Sequence, residues 1–409
     1  MGQVHVFLKQ FDINGVYESN FTEVTDDITE NGLGKLRQRL DNTQFDIGVF
    51  RNSNVKLTFK NDDGRYSDVG ETLNTIFKSK RADTQVKITW EPATKLIPGF
   101  FIPGPTAILS EEITMFEGLL NDDSSAEDAT GQQIPFNILG KESIFSRVDV
   151  PFLSVSNGDL FSALFFTLLN QTKITDLLTV SALNISVGTD VEIDVRDSLE
   201  NKTVLEAFKS ALLASNSVLF VKDNTVFISP RTIGASSDFT FFGEASINGI
   251  ENISRIARVR TGANRIFNYW TWKDTNILRK DDTSIAKFGI SKKELDVALI
   301  TDTTKRQTIL ANLRDEFALP KRELKLSAPI DPKLVEDVFL LSKVSIDHPS
   351  ITIVADDAEL PFYDKALYDI ARYPDEFTSL IIDVLTDFKV MDREIDLKTE
   401  VASYQLRVA

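Results

Sequence analysis

Apolar and polar residues alternate with period two through the first third of the chain. Val55, Leu57 and Phe59 are separated by Lys56 and Thr58, and Val86, Ile88 and Trp90 by Lys87 and Thr89. Such spacing puts every second side chain on one face, so both runs predict half-buried strands. Between them, Asn61-Asp62-Asp63-Gly64 carries an Asp-Gly step that accommodates positive φ in a tight turn. Leu96 to Pro105 contains Pro98, Gly99, Pro103, Gly104 and Pro105, which break helix and central strand alike and predict an exposed loop bearing Phe100, Phe101 and Ile102. Ile113 to Leu120 predicts a further strand, running into the acidic loop Asn121 to Gly131.

The period then lengthens. Asp159 is placed to cap a helix whose Leu160, Leu164, Phe165, Leu168 and Leu169 form a broad apolar face. Thr203 and Glu206 have capping-box spacing ahead of Val204, Leu205, Phe208, Leu212 and Leu213, and Asn216 suits the helix exit. Val218 to Val221 and Val226 to Ser229 predict a hairpin around Lys222-Asp223-Asn224, closed by Pro230. From Asn248 onward strands return, with Trp270 and Trp272 on one face of Phe267 to Lys273. One helix interrupts them: Thr304 and Gln307 predict another capping box, Ile309, Leu310, Leu313 and Phe317 the apolar stripe, and Pro320 the stop. Val338 to Ile346, Ile351 to Val354, Phe388 to Leu397 and the alternating Ala402, Tyr404, Leu406 and Val408 predict β-structure to the end. The expected fold class is therefore α+β and β-rich. Three parts are expected: a β domain over 1–150 with loop insertions, a helix and hairpin α/β module over 151–247, and a β domain over 248–409 with one helix.

Composition narrows the chemistry. At 409 residues and 42% hydrophobic content the chain can build two or three cores, and 29 phenylalanines suit packed sheets and broad contacts. It has no cysteine, which removes disulfides, thiol nucleophiles and Cys-ligated zinc. A formal net charge of -16 opposes nucleic-acid binding over the whole surface, where Lys and Arg dominate. The opening MGQVHVFLKQ lacks the basic and apolar regions of a secretory signal, and Leu160 to Leu169 is far shorter than the roughly 20 residues that span a bilayer. A soluble chain that does not insert into membranes is expected.

Motifs for catalysis are missing. His5 and His348 lie at opposite ends of the sequence, and an Asp-His-Pro turn accounts for the second. The sequence contains no G-x-S-x-G, H-E-x-x-H or P-loop. Asn61-Asp62-Asp63-Gly64 departs from the spacing of a calcium loop and reads as a turn. Acidic residues number 61, so paired carboxylates for glycoside cleavage exist in sequence terms without pointing anywhere. Neither an enzyme nor a cofactor is expected.

The order of segments resembles the tail hub proteins of tailed bacteriophages, a group that includes baseplate hubs and the N-terminal hub regions of tail-tip proteins. Val55 to Ser67 is similar to their strand and "N-x-DG-x-[FY]-S" turn; Thr203 to Arg231 to their helix, hairpin and Pro-Arg module; Phe388 to Leu397 with Val401 to Val408 to their closing hairpin. The resemblance implies two tube-like β-barrel domains flanking the smaller α/β module, so that a homotrimer presents a pseudo-sixfold ring to a hexameric tube. It implies a structural virion protein at the tail tip or baseplate. Its partners would be a tail tube or distal tail protein on one side and a spike, fibre or tip protein on the other, with DNA passing during ejection without specific binding. A distal tail or baseplate adaptor ring, and a carbohydrate-binding adhesin, are the rival readings.

On this reading Phe100, Phe101 and Ile102 are candidates for a subunit interface, because a Pro-Gly loop gives them few local partners. Trp270 and Trp272 are candidates for the same role, against the plainer reading of a half-buried strand face. Asp122, Asp123, Glu127 and Asp128 are candidate lumen residues that would repel DNA, against a simply solvated loop. Arg255, Arg258, Arg260 and Arg265 read as salt-bridge partners, since interleaved aromatics for nucleic acid are missing.

Overall fold

The computed structural model describes residues 2–40, 51–67, 75–92, 112–121, 132–150, 156–199, 201–231, 239–242, 255–261, 266–319, 322–330, 332–339, 341–347, 351–354, 380–383 and 387–408. The molecule is β-rich α+β, and its contacts divide it into two units: Met1–Arg231 with Ala263–Pro320 and Glu394–Glu400, and Thr232–Gly262 with Lys321–Arg393 and Val401–Ala409.

The first unit opens with β1 (Gln3–Lys9), β2 (Thr22–Glu23), β3 (Ile28–Leu33), β4 (Leu36–Leu40), β5 (Arg51–Lys60), β6 (Gln85–Glu91), β7 (Ile113–Asn121) and β8 (Gln133–Gly140). They form an antiparallel array ordered β4-β5-β8-β7-β6-β1-β2, with β3 also against β5. The period-two pattern sets its register. Val55, Leu57 and Phe59 face Ile138, Phe136 and Ile134 across the β5–β8 ladder, and all six are buried, so a one-residue slip would bring Lys56 and Thr58 inside.

The chain then forms α1 (Phe161–Leu169), α2 (Thr172–Thr175), α3 (Val204–Ala214), β9 (Ser217–Lys222) and β10 (Thr225–Pro230). Thr203 and Glu206 make both bonds of the capping box at α3, and Asn216 leaves that helix at φ 48°. Phe208 packs between Phe145 and Phe165 at ring-centroid distances of 5.6 and 5.7 Å. Asp223 and Asn224 both take positive φ, 47° and 59°, as a two-residue hairpin turn requires.

Beyond β11 (Phe239–Phe242) and β12 (Arg255–Thr261), the first unit resumes with β13 (Tyr269–Trp272), β14 (Leu278–Lys280), α4 (Asp282–Phe288), β15 (Lys292–Leu295) and α5 (Thr303–Phe317). Trp270, Leu295, Leu310 and Leu313 join the same buried cluster as Phe165 and Phe208. The helix expected within the last β domain thus helps to wall the core of the middle module.

The second unit holds β11, β12, β16 (Arg322–Pro329), α6 (Pro332–Asp337), β17 (Lys343–Asp347), the parallel pair β18 (Ile351–Val354) and β19 (Leu380–Asp383), most of β20 (Asp387–Asp396), and β21 (Val401–Val408). Strands run β12-β16-β21-β20, with β17 joining β20 to β11. Leu324 and Leu326 lie opposite Leu406 and Tyr404, and Phe241 reaches Tyr404 at 5.5 Å between rings. Among the described residues no sheet closes on itself.

Three local expectations need correction. Leu160, not Asp159, is the N-cap of α1; the Asp159 carboxylate instead accepts the Ser156 amide at 2.7 Å. Asp302, not Thr304, caps α5 by accepting from Lys305 N at 2.9 Å, and Gln307 accepts from Arg279 at 2.8 Å. Val338 is buried beside the end of α6, so the following strand begins at Lys343.

Candidate functional site

The helix α5 carries chemically opposite surroundings at its two ends. Its N-terminus borders an open cleft of about 580 Å³ whose lining includes Gly158, Glu192, Asp194, Thr301, Asp302 and Lys305. Asp194 is the hub of that wall: its carboxylate accepts the amides of Thr301 and Asp302, both at 2.7 Å, and the Lys305 ammonium at 2.6 Å. Burial works against its charge, yet the Lys305 hydrogen bond and the two amides outweigh that effect and hold the carboxyl below its usual range. An internal anion therefore already occupies the positive end of the helix. The cleft's Asp194 carboxylate is committed to structural bonds, the Thr301 hydroxyl among its donors at 3.4 Å.

At the other end of α5 a knot of polar bonds forms around Asn268, which is fully buried. Its side-chain amide donates to Ser284 Oγ at 3.1 Å and to the Gly289 carbonyl at 2.8 Å, while its Oδ1 accepts the Ser291 amide at 2.8 Å. Ser284 Oγ donates in turn to the Ala318 carbonyl. Gly289 ends α4 at φ 80° in open space, a left-handed step that suits glycine. The knot fixes a turn on which Phe288 is 39% exposed and Ile290 71%.

The motifs that carry the resemblance have structural work in this fold. Asn61 accepts the Tyr66 amide at 2.7 Å and donates to Ser67 Oγ at 3.0 Å, and Asp63 accepts the Arg65 amide at 3.0 Å. The Tyr66 hydroxyl donates to Asp27 at 2.5 Å; burial, then that carboxylate, raises its pKa. Asn61 to Ser67 is thus a self-bonded turn that seals the end of β5. Arg231 of the Pro-Arg step is buried, its amide bonded to the Asn216 carbonyl at 3.1 Å, with its guanidinium 3.8 Å from Glu316 and 5.8 Å from the Phe317 ring centroid. It ties the hairpin exit to α5.

Of the residues singled out from sequence, Trp270 and Trp272 are buried in the chain's own core. Trp270 Nε1 donates to the Phe267 carbonyl at 2.9 Å, and Arg306 covers the Trp272 ring at 5.0 Å. They serve as core anchors and present no free face to a partner. Phe100, Phe101 and Ile102, the acidic Asp122, Asp123, Glu127 and Asp128, and His348 and Arg265 lie outside the described residues. His5 Nδ1 sits 2.7 Å from Glu23 and its Nε2 3.9 Å from Glu91. Among the described residues no three His, Asp or Glu side chains gather as a metal site, and no helix is long and apolar enough to cross a membrane. The Asn268 knot escaped sequence reading because its members, 268, 284, 289, 291 and 318, follow no period.

This architecture is one shared with phage-type tail proteins. The tail protein from Neisseria meningitidis MC58 superposes with a TM-score of 0.55 at 8% identity, over 99% of this chain and 96% of that one. The 43 kDa tail protein of prophage MuSo2 from Shewanella oneidensis gives 0.50 at 10% identity, over 99% and 97%. No protein-family profile and no curated protein matches the sequence.

Proposed function

We propose that this chain is a structural, non-catalytic protein of a bacteriophage tail, built into the virion at the tail tip or baseplate. The observation that carries the reading is a shared fold over essentially the full length of two tail proteins, reached independently of the sequence motifs that resemble tail hubs. Within the tail the hub role fits best. A homotrimer of two tube-like domains per subunit around the smaller central module would match a hexameric tube or distal tail ring above and a spike, fibre or tip protein below. The acidic loop with Asp122, Asp123, Glu127 and Asp128 would face the channel and keep passing DNA from adhering. Phe100, Phe101 and Ile102 would be buried between subunits; replacing both phenylalanines by Ser should spare monomer folding and weaken assembly.

The test is location. Antibody labelling of purified virions, viewed by electron microscopy, should place the chain at the distal end of the tail. A chain absent from virions would overturn the tail reading, and labelling along the whole tube would overturn the hub.

A further inference from the structure

Glu117 holds two side chains on one oxygen. Its Oε2 accepts the Lys141 ammonium at 2.5 Å and the Asn224 side-chain amide at 2.8 Å, so Nζ and Nδ2 lie within two hydrogen-bond lengths of each other. Secondary structure fixes all three residues. Gly118 pairs with Gly140 across β7 and β8, which puts Glu117 opposite Lys141. Asn224 takes φ 59° in the β9–β10 turn, and its carbonyl accepts the Thr179 amide at 2.7 Å. The neighbouring carboxylate, Glu142, is turned to Ser53, whose amide it accepts at 2.7 Å, which leaves Glu117 as the acid that serves Lys141.

An amine, a carboxamide and a carboxylate gathered in this way supply both reactants and the acid–base group for an amide exchange. Lys141 is 5% exposed and the Glu117 side chain 17%, so little water reaches the pair, and burial makes two full charges costly. Moving one proton from Nζ to Oε2 along the 2.5 Å bond leaves a neutral amine beside a carboxylic acid. The amine is then a nucleophile. Nζ attacks Cγ of Asn224, and the bond from Cγ to Nδ2 breaks. Of the three protons on the ammonium, one stays on the new amide nitrogen and two pass by way of Glu117 to Nδ2, which leaves as ammonium. Glu117 ends as the carboxylate it began as, and nothing is oxidised or reduced.

We propose that Lys141 and Asn224 join in an intramolecular isopeptide bond, with Glu117 carrying the protons. The ion pair is the state from which the bond forms. The link ties the turn after β8 to the β9–β10 hairpin and closes a loop from 141 to 224, in a chain that has no cysteine for a disulfide. Each chain reacts once, without turnover, so the proposal goes beyond the tail reading and stands or falls separately from it.

The experiment is intact-mass spectrometry of the purified full chain after incubation in the folded state, with tandem spectra of a tryptic digest. The wild type should be lighter than its sequence by the mass of one ammonia. Its digest should contain residues 223–231 joined to a peptide left uncleaved at Lys141. Asn224→Ala and Lys141→Arg should keep the full mass of their sequences, and Glu117→Gln should form the bond at least about a hundredfold more slowly. Circular dichroism melts check that each variant is folded. A folded wild type that keeps its full mass throughout overturns the proposal whatever the variants do. Ammonia lost without a 141–224 linkage, as when an asparagine closes on its own backbone, overturns it equally. A bond that Glu117→Gln forms at the wild-type rate would remove Glu117 as the proton carrier.

Discussion

Two charged side chains show how single residues set the stability of the first unit. Asp194 joins residues 192–195 to the start of α5 through two amides and Lys305. Asp194→Ala should cost about 1–2 kcal/mol at neutral pH, toward the low end because the cleft is open to water. Because the carboxyl is held below its ordinary value, its contribution is complete above that value, near pH 4, and disappears as pH falls through the folded one. Thermal melts of both proteins between pH 2 and 7 should therefore converge at the acid end; a gap that stayed constant would contradict the bonding described. At Lys293 folding disfavours the charged form instead. Burial pushes its ammonium down to about 8, so below that pH the folded chain keeps a charge in a poor environment. Stability then rises between pH 8 and the ordinary 10.5, where the folded state releases the proton before the unfolded one does. Melts of the wild type should show Tm climbing through that window, and Lys293→Met should flatten the climb; an unchanged slope in the variant would contradict the assignment.

At the scale of elements, a buried ion pair links three pieces that are distant in sequence. Glu117 on β7 accepts Lys141 at 2.5 Å, from the turn after β8, and the side chain of Asn224 at 2.8 Å, from the β9–β10 hairpin. Lys141 is almost fully buried, so Glu117→Ala should cost about 3–5 kcal/mol by leaving that ammonium unpaired. The double change Glu117→Leu with Lys141→Met should cost clearly less, as denaturant titration of the two proteins would show; equal losses would mean that packing dominates. This linkage also marks the limit of what sequence could foretell. Val55, Leu57 and Phe59, the Thr203–Glu206 box and the Asp223-Asn224 turn were legible because each rests on neighbours a few residues away. The Asp302 cap was missed because Asp302, Thr303 and Thr304 are all plausible N-caps, and only the Asp194 bonds to the amides at 301 and 302 choose among them. For the tryptophans a half-buried strand face is the plainer reading and an interface the alternative, since alternation shows that one face is buried without saying by what.

The whole molecule is organised by contacts that run against chain order. Read linearly, residues 1–231 look self-sufficient, containing the first β array, α1, α3 and the β9–β10 hairpin. In space, part of the core around Phe165 and Phe208 is supplied by Trp270, Leu295, Ile309, Leu310, Leu313 and Phe317, all from the return segment Ala263–Pro320. Removing a single buried aromatic typically costs 3–5 kcal/mol, and a domain's net stability is about 5–15 kcal/mol. Losing this set at once, together with the Glu316 partner of Arg231, exceeds that margin. A fragment ending at Arg231 should therefore lack a cooperative thermal transition and bind a hydrophobic dye, and the added segment 263–320 should restore the transition in part. If the fragment instead melts cooperatively near the temperature of the full chain, the return segment only decorates a core already complete, and the first unit is continuous after all.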